Sequence, residues 1–246
     1  MLHTPSRYIC NNADTAILFV HGIVGSPDQF RELMPLVPPE WSCVNLLLPG
    51  HGGTATDFSR ASMVQWRSYV SAEVDRLAAA HKRVLLVGHS MGTLFCIDEA
   101  LHQDRVVGLF LLACPLYPML TLTATRQSLQ VALGIERATP AAQAAKRACS
   151  VTGTKKLWQY LGWLPRFGEL FQAAKLGREE LKQLGTPTVA VHSEKDELVS
   201  HRSFLLLEQA TCVSPHTLPN AGHFYYPPDD LVHLQALFCD FVKKYR

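Results

Sequence analysis

Short apolar runs alternate with longer amphipathic stretches along this chain of 246 residues, and no other feature constrains its fold as strongly. Runs of Val, Ile, Leu and Phe predict strands, and helical stretches between successive strands are typical of a parallel sheet. Several runs are apolar throughout, which is the pattern of strands that helices cover on both faces. The sequence therefore predicts an α/β fold, with a mostly parallel sheet and helices on both faces.

The boundaries of these elements follow from the apolar runs and from helical spacing. The predicted strands are residues 16–20, 42–48, 83–88, 106–113 and 188–192, with a weak strand at 216–218 and an edge strand at 7–11. The predicted helices are residues 62–80, 90–102 and 228–245.

Residues 115–185 interrupt this alternation, because they contain many alanines and no convincing strand. A segment of this length is too long for a structureless loop in a compact domain. We predict a helical cap at residues 115–185, inserted between two parts of the core, 1–114 and 186–246. Its clustered aromatic side chains either line an acyl pocket or pack the cap onto the sheet: Trp158, Tyr160, Trp163, Phe167 and Phe171.

The composition excludes several classes of protein. A hydrophobic fraction of 48% is typical of a chain with a sizeable core and excludes a disordered protein. The formal net charge is +2 and neither sign is concentrated in a block, so we expect no nucleic-acid partner. No apolar run approaches the roughly 18 residues that span a bilayer, so we expect no transmembrane segment.

Targeting and cofactor signals are also missing from the sequence. The N-terminus has no basic-then-apolar signal pattern, so we predict a cytoplasmic protein. The seven cysteines are scattered without C-x-x-C pairs or metal-finger spacing, and we expect reduced thiols and no metal site. Pro49-Gly50-His51-Gly52-Gly53 lacks the spacing of a phosphate-binding loop and indicates a structural turn, so we expect no cofactor.

Gly88-His89-Ser90-Met91-Gly92 is a G-x-S-x-G motif that lies directly between a predicted strand and a predicted helix. A tight strand-to-helix turn strains its central residue and projects that side chain above the carboxyl edge of the sheet. The N-terminus of the following helix favours developing negative charge. Ser90 is therefore the candidate nucleophile; the alternative is a Gly-Ser turn that only caps the helix.

A serine hydroxyl is a weak nucleophile unless a base removes its proton. Among eleven histidines, His223 is the best placed, because it lies in a loop after the last weak strand and before the final helix. His81, His102 and His233 are expected on or beside exposed helix faces.

The base needs a carboxylate to orient it, and such a group should follow another strand. Three acids follow the predicted strand 188–192: Glu194, Asp196 and Glu197. We prefer Asp196, because the apolar residues further along the loop can anchor it in the core.

Acyl transfer also requires two hydrogen-bond donors for the oxyanion. The backbone amide of Met91, directly after the candidate nucleophile, is the first. The loop His21-Gly22-Ile23-Val24-Gly25, after the first buried strand, should supply the second. We choose the amide of Ile23, with the amide of Val24 as the alternative.

Together these motifs resemble those of the α/β-hydrolase superfamily. They occur in the same order along the chain as in that superfamily, and they span nearly the whole chain apart from the insertion. The matching segments are His21-Gly22, Leu48-Pro49-Gly50-His51-Gly52, Gly88-His89-Ser90-Met91-Gly92, Glu194-Lys195-Asp196 and Ala221-Gly222-His223. Within the superfamily the sequence is most similar to small bacterial carboxylesterases and monoacylglycerol lipases, which also resemble serine-aminopeptidase-like hydrolases.

The resemblance implies an α/β-hydrolase fold and a residue role at each matching position. Ser90 is then the nucleophile, His223 the general base and acid, and Asp196 the orienting acid. The amides of Ile23 and Met91 form the oxyanion hole. The implied reaction is formation of an acyl-enzyme and its hydrolysis by water.

We expect a serine hydrolase that cleaves a small-molecule carboxylic ester with an apolar acyl group. Two alternatives stay open: the same triad can hydrolyse an amide, thioester or C–C bond, and the fold can serve as a non-catalytic binding module. We also expect the His223→Ala variant to lose activity without unfolding, because a loop position is not a core position.

Overall fold

The computed structural model describes residues 3–119, 139–153 and 156–246. Within them the strands are β1 (Ser6–Tyr8), β2 (Thr15–Val20), β3 (Ser42–Asn45), β4 (Arg83–His89), β5 (Val106–Leu112), β6 (Thr188–Ser193) and β7 (Val213–Leu218). They form one sheet in the order β1-β3-β2-β4-β5-β6-β7. The edge strand β1 is antiparallel to β3, and the other neighbours pair in parallel. The predicted α/β fold with a mostly parallel sheet is therefore confirmed.

Helices follow most of these strands. The described helices are α1 (Ala55–Arg60), α2 (Met63–Ala80), α3 (Met91–His102), α4 (Pro140–Ala148), α5 (Trp163–Leu181), α6 (His201–Leu207) and α7 (Pro228–Lys243). The side-chain oxygens of Thr54 and Ser62 accept hydrogen bonds from backbone amides in the first turns of α1 and α2, which explains why each helix begins where it does. Short 3₁₀ helices occupy Pro27–Phe30, Met34–Leu36 and Leu157–Tyr160.

One predicted strand, 42–48, is shorter than expected because its last residues leave the sheet. The amide of Leu46 donates to the carbonyl of Phe19, and the amide of Leu48 donates to Nε2 of His21, 3.0 Å away. The Leu46 bond is the last that the strand makes to the backbone of β2, because at Leu48 a histidine side chain takes the place of the next backbone acceptor. At the opposite edge, the predicted strand at 216–218 is longer than expected and spans Val213–Leu218.

The sheet separates two hydrophobic clusters. On one face, β-strand residues such as Leu18 and Leu86 pack with α2, α3 and α5. On the other face, Phe19 and Phe110 pack against Phe238 and Phe241 of α7. This double covering accounts for strands that are apolar throughout, since neither face meets water.

The predicted cap lies in the connection from β5 to β6, and its residues 120–138 and 154–155 lie outside the described residues. Within the described part, α5 packs against α3, where Gly177 lies against Leu94. At its start, the ring of Trp163 packs against Phe58 and its Nε1 donates to the carbonyl of Ala55. The second half of α5 therefore belongs to the helical layer on the sheet. A cap with the limits 115–185 stays a prediction.

One histidine lies elsewhere than its sequence context suggested. His81 was expected beside an exposed helix face, but it is buried at the end of α2. Its Nδ1 lies 2.9 Å from the carbonyl of Leu77, and its Nε2 lies 2.8 Å from Ser42 Oγ on β3. The imidazole thus ties the end of α2 to the sheet, a contact that helical periodicity does not reveal.

The seven cysteines are free, as their spacing predicts. Burial raises the pKa of Cys43 and of Cys114 to about 12, and it raises that of Cys96 well above the usual value. These thiols are therefore protonated at neutral pH. Within the described residues, no helix is both long and apolar enough to cross a membrane.

Candidate active site

Ser90 lies at the turn between β4 and α3. Its backbone has φ 52° and ψ −125°, in the left-handed half of conformational space that residues with a side chain rarely adopt. The turn is held by a hydrogen bond from the amide of Ser90 to the carbonyl of Leu112, 2.9 Å long. Strain of this kind persists only where the surrounding structure enforces it. The geometry predicted for the G-x-S-x-G segment is therefore present.

Two glycines permit the close approach of this turn to the end of β2. A Cβ atom at Gly92 would lie 2.0 Å from the carbonyl oxygen of Val20. A Cβ atom at Gly22 would lie 2.8 Å from the Cβ of Ser90 and 3.4 Å from its Oγ. Side chains at either position would push α3 and the loop after β2 apart. The loop that carries Ile23 thus touches the serine.

His223 and Asp196 form a buried pair at the carboxyl edge of the same sheet. Nδ1 of His223 lies 2.8 Å from Oδ2 and 3.0 Å from Oδ1 of Asp196. Oδ1 also accepts hydrogen bonds from the amides of Leu198 and Val199. The carboxylate is therefore held from both sides, by its own loop and by the histidine.

The pKa values of this pair follow from burial opposed by mutual attraction. Burial alone would lower the pKa of His223, but the carboxylates of Asp196 and Glu197 outweigh it and raise that pKa above its usual value. For Asp196, burial would raise the pKa, whereas the histidine and the two loop amides bring it below its usual value. Asp196 is thus a carboxylate at neutral pH.

Two further residues hold the backbone of His223. The amide of His223 donates to Oε2 of Glu197, and its carbonyl accepts a hydrogen bond from Nε2 of His89, 3.0 Å away. Burial and the neighbouring His223 lower the pKa of His89 to about 3, so this imidazole is neutral. Sequence reasoning considered Glu197 only as a rival for the role of Asp196, and it missed His89. The exposed side chain of Glu194, the other rival, lies outside this group.

The predicted donor amides lie in the turn at Ser90 and in the loop after β2. The amide of Met91 opens α3, and the first amides of a helix have no partner within it. Among the described residues, the amides of Ile23 and Val24 also have no hydrogen-bond acceptor. Val24 has φ 58°, which marks a strained turn closed by a hydrogen bond from Gly25 to the carbonyl of Gly22. The predicted donors therefore lie in two segments that approach each other where Gly22 meets Ser90.

His21 fixes the loop after β2 to the loop after β3. Its Nδ1 donates to the carbonyl of Gly22, and its Nε2 accepts the amide of Leu48. Burial and the neighbouring His51 lower the pKa of His21 well below its usual value. His51 itself packs against Phe58 and Trp66 at the structural turn predicted from its sequence. Both histidines thus lie where the loops after β2 and β3 meet.

A cavity of about 160 Å³ lies beside His89. Its walls are residues 28–33, 144–148 and 224–234 in part, together with Leu112. Of the described residues, neither Ser90 nor any member of the predicted aromatic cluster lines it. Trp163 instead packs α5 onto α1, while Trp158 is exposed. In the part of the chain that the structure describes, no three His, Cys, Asp or Glu side chains are grouped to hold a metal ion.

Comparisons with known proteins agree with this architecture. A family model described as the alpha/beta hydrolase family matches residues 17–234. The chain is 34% identical to the dihydrolipoyllysine-residue acetyltransferase component of the acetoin cleaving system of Pseudomonas putida, over 40% of this chain and 26% of that protein. The chain spans no more than 38% of the length of the curated relatives considered.

Two solved structures share the fold over the whole chain. One, from the metagenome-derived lipolytic enzymes LipS and LipT, has a TM-score of 0.76 at 19% identity and 98% coverage of both chains. The other, the monoacylglycerol lipase of Paleococcus ferrophilus, has a TM-score of 0.70 at 15% identity and 100% coverage of both chains. The fold, with its strained turn at Ser90, is that of the α/β-hydrolase class. The chain belongs to the alpha/beta hydrolase family.

Proposed function

We propose that the protein is a serine hydrolase that cleaves carboxylic esters through an acyl-enzyme. The observation that carries this proposal is the buried His223–Asp196 pair, 2.8 Å apart, at the sheet edge where the strained turn presents Ser90. A serine, a histidine and a carboxylate that follow three strands in this order are the components of a Ser-His-Asp triad. Ser90, His223 and Asp196 are its proposed members.

The proton path follows from the hydrogen bonds of His223. Because Nδ1–H donates to Asp196, Nε2 carries the lone pair that removes the proton of the Ser90 hydroxyl. The serine oxygen then attacks the ester carbonyl, and the imidazolium beside Asp196 returns the proton to the departing alcohol. A water molecule, activated by the same Nε2, hydrolyses the acyl-enzyme and regenerates the serine.

The developing negative charge on the carbonyl oxygen needs donors that are already in place. We assign this role to the amides of Met91 and Ile23. The first belongs to the turn that carries the nucleophile, and the second lies in the loop whose Gly22 closely approaches Ser90. The positive end of α3 adds to the same stabilisation.

The proposed substrate is a small-molecule ester with an apolar acyl group. The two lipolytic enzymes that share the fold support the ester as the bond cleaved. Hydrolysis of an amide, a thioester or a C–C bond is the alternative, because the same three side chains serve all of these reactions. The cytoplasmic location stays a prediction.

The test combines active-site labelling with turnover. We expect a fluorophosphonate to label the wild type at Ser90 and not the Ser90→Ala variant. That variant should also lose about 10⁴-fold or more in kcat on p-nitrophenyl butyrate. Monoacylglycerols, an acyl thioester and an aminoacyl anilide, compared by kcat/KM, separate the bonds. If every ester is hydrolysed equally by the wild type and by Ser90→Ala, the proposal is wrong.

The His223→Ala variant should lose activity to a similar extent. The sequence predicts no loss of stability in this variant, but the structure predicts one. His223 is buried, with 2% of its surface exposed, so the loop position is a core position after all. The replacement leaves the buried Asp196 carboxylate without its main partner, at a cost of about 1–3 kcal/mol in the free energy of unfolding. His233→Ala, on an exposed face of α7, is the matched control and should change neither quantity.

A further inference from the structure

The loop Gly22–Gly25 is held by side chains that the proposed mechanism does not use. The amide of Gly22 donates to Oε1 of Gln29, 3.2 Å away. The carbonyl of Gly22 accepts from Nδ1 of His21 and from the amide of Gly25. The amide and the carbonyl of Gly22 are therefore both held by hydrogen bonds before any substrate binds.

A second set of contacts reaches this loop from the segment between β5 and β6. The amide of Ser150 donates to the carbonyl of Val24, 3.0 Å away, and Ser150 Oγ donates to the carbonyl of Gly25. Two residues later, the amide of Thr152 donates to the carbonyl of Gly53 in the loop after β3. We call residues 150–152 the strap.

The strap is anchored rather than loosely laid on the surface. Ser150 has 4% of its surface exposed, and the side chain of Val151 is part of the hydrophobic core. By contrast, the side chain of Thr152 is exposed. The strap therefore carries one buried polar side chain, and the contact that it makes is to the loop of Ile23.

These contacts account for the strained backbone of Val24. A non-glycine residue with φ 58° costs free energy, and it persists only where its neighbours enforce it. With the carbonyls of Gly22, Val24 and Gly25 all bound, the loop has little freedom to relax. The orientation of the Ile23 amide is set by the same bonds, since that amide lies inside the loop.

We infer that Ser150 and Gln29 are positioning residues for the oxyanion hole: they hold the Gly22–Gly25 loop so that the Ile23 amide faces the carbonyl oxygen of the substrate. This inference rests on the proposed function. An oxyanion donor acts only within a narrow range of distances, so a small displacement of the loop weakens the transition state more than the bound substrate.

The first test is the Ser150→Ala variant, which removes the Oγ bond and leaves the amide bond to Val24. We expect kcat on p-nitrophenyl butyrate to fall by about 10- to 100-fold with KM nearly unchanged. A trifluoromethyl ketone, on which Ser90 adds to form a hemiketal oxyanion, should bind more weakly in proportion to kcat/KM. Thr152→Ala is the matched control, since it lies on the same strap and keeps the backbone bond; it should match the wild type in all three quantities.

The second test is Gln29→Met, which keeps the length of the side chain and removes the acceptor for the Gly22 amide. Gln29 holds the loop through a separate hydrogen bond, from the amide of Gly22, so this variant carries the inference if Ser150→Ala fails to fold by circular dichroism and thermal unfolding. The same split between kcat and KM is expected, with the same loss of affinity for the trifluoromethyl ketone.

The outcomes separate this inference from the proposed function. Wild-type kcat in folded Ser150→Ala and Gln29→Met would overturn the inference, while loss of labelling in Ser90→Ala would still support the proposed function. A lower melting temperature with unchanged ketone affinity would assign both residues a structural role only, and would also overturn it. Equal activity in the wild type and in Ser90→Ala would overturn the proposed function itself.

Discussion

The loops at the carboxyl edge of the sheet and the segment from β5 to β6 contribute to the site in opposite ways. At the edge, each proposed residue lies within a few positions of a strand end: Ile23 after β2, Ser90 after β4, Asp196 after β6 and His223 after β7. In the segment, Ser150 acts on Gly25, which is 125 residues earlier in the chain. The residues at the edge can be found from their positions after strands. Ser150 can be found only from the tertiary packing.

If the edge depends on close packing, we expect the largest effect where the loop of Ile23 meets Ser90. The Gly22→Ala variant places a Cβ 2.8 Å from the Cβ of Ser90, so the turn or the loop must move. We expect kcat to fall about 100-fold and the free energy of unfolding to fall by about 1–3 kcal/mol. Steady-state kinetics and urea unfolding measure the two effects.

Gly168→Ala, within α5, provides the control for Gly22→Ala. A Cβ there meets no atom within 4 Å, and alanine is the better helix former, so the variant should keep the wild-type rate with equal or greater stability. Equal changes in kcat and in the free energy of unfolding in the two variants would contradict the contrast between the sheet edge and the segment from β5 to β6.

A smaller effect is expected where the segment meets the core. Asp98 of α3 and Glu180 of α5 share Arg67, and Glu99 lies buried beside Asp98. Burial, the larger cause, and the negative charge of Asp98 raise the pKa of Glu99 from 4.5 to about 7. Because the folded-state pKa exceeds the unfolded value, the stability that Glu99 contributes is full below pH 4.5 and is lost as the pH rises through 7.

The Glu99→Gln variant should remove this loss. We expect it to be more stable than the wild type by about 1 kcal/mol at pH 8 and to show little difference near pH 4.5, as measured by urea unfolding at both pH values. The exposed Glu208→Gln is the control. A stability difference that does not depend on pH would show that the charge of Glu99 is not its cause.

The smallest effect concerns the electrostatics of the edge. Glu197 is one of the carboxylates that raise the pKa of His223, and its Oε2 accepts the amide of that residue. Because the base must be deprotonated, kcat/KM should rise with pH through a pKa above 6.5 in the wild type. Glu197→Gln keeps an acceptor oxygen and removes the negative charge. The rise of kcat/KM with pH should therefore occur at lower pH in this variant.

The pH profile of kcat/KM measures the shift in Glu197→Gln. The control is Glu194→Gln, whose side chain is exposed and outside the group around His223. A profile unchanged in Glu197→Gln would mean that Asp196 is the carboxylate that offsets burial at His223, without a contribution from Glu197.

Whether a residue of the site can be predicted from the sequence depends on how far apart in the chain its contacts lie. The apolar pattern predicts β2, β4 and β6 closely, since burial on both faces leaves its mark on every residue of those strands. Ser90, Asp196 and His223 follow from their places after strands, and the structure brings Asp196 and His223 into contact. The proposed roles of these residues stay to be tested.

Other contacts are absent from local patterns because they join distant parts of the chain. His89 points its Nε2 at a carbonyl 134 residues later, and His81 reaches Ser42 across the sheet edge. The contacts of the strap and of Gln29 are also long-range, and a serine in a connecting segment has no periodicity to mark it. Sequence patterns report burial and backbone conformation, whereas these bonds depend on which loops meet.

The free cysteines have a practical consequence for covalent chemistry on this protein. A thiol reacts as its thiolate, and burial keeps Cys43, Cys96 and Cys114 protonated at neutral pH. An electrophile that tolerates both oxygen and sulfur nucleophiles would therefore find these three thiols inert in the folded protein. A broad-warhead inhibitor should therefore leave these three positions unmodified, so that mass added at any of them reports exposure of the core and not chemistry at the proposed active site.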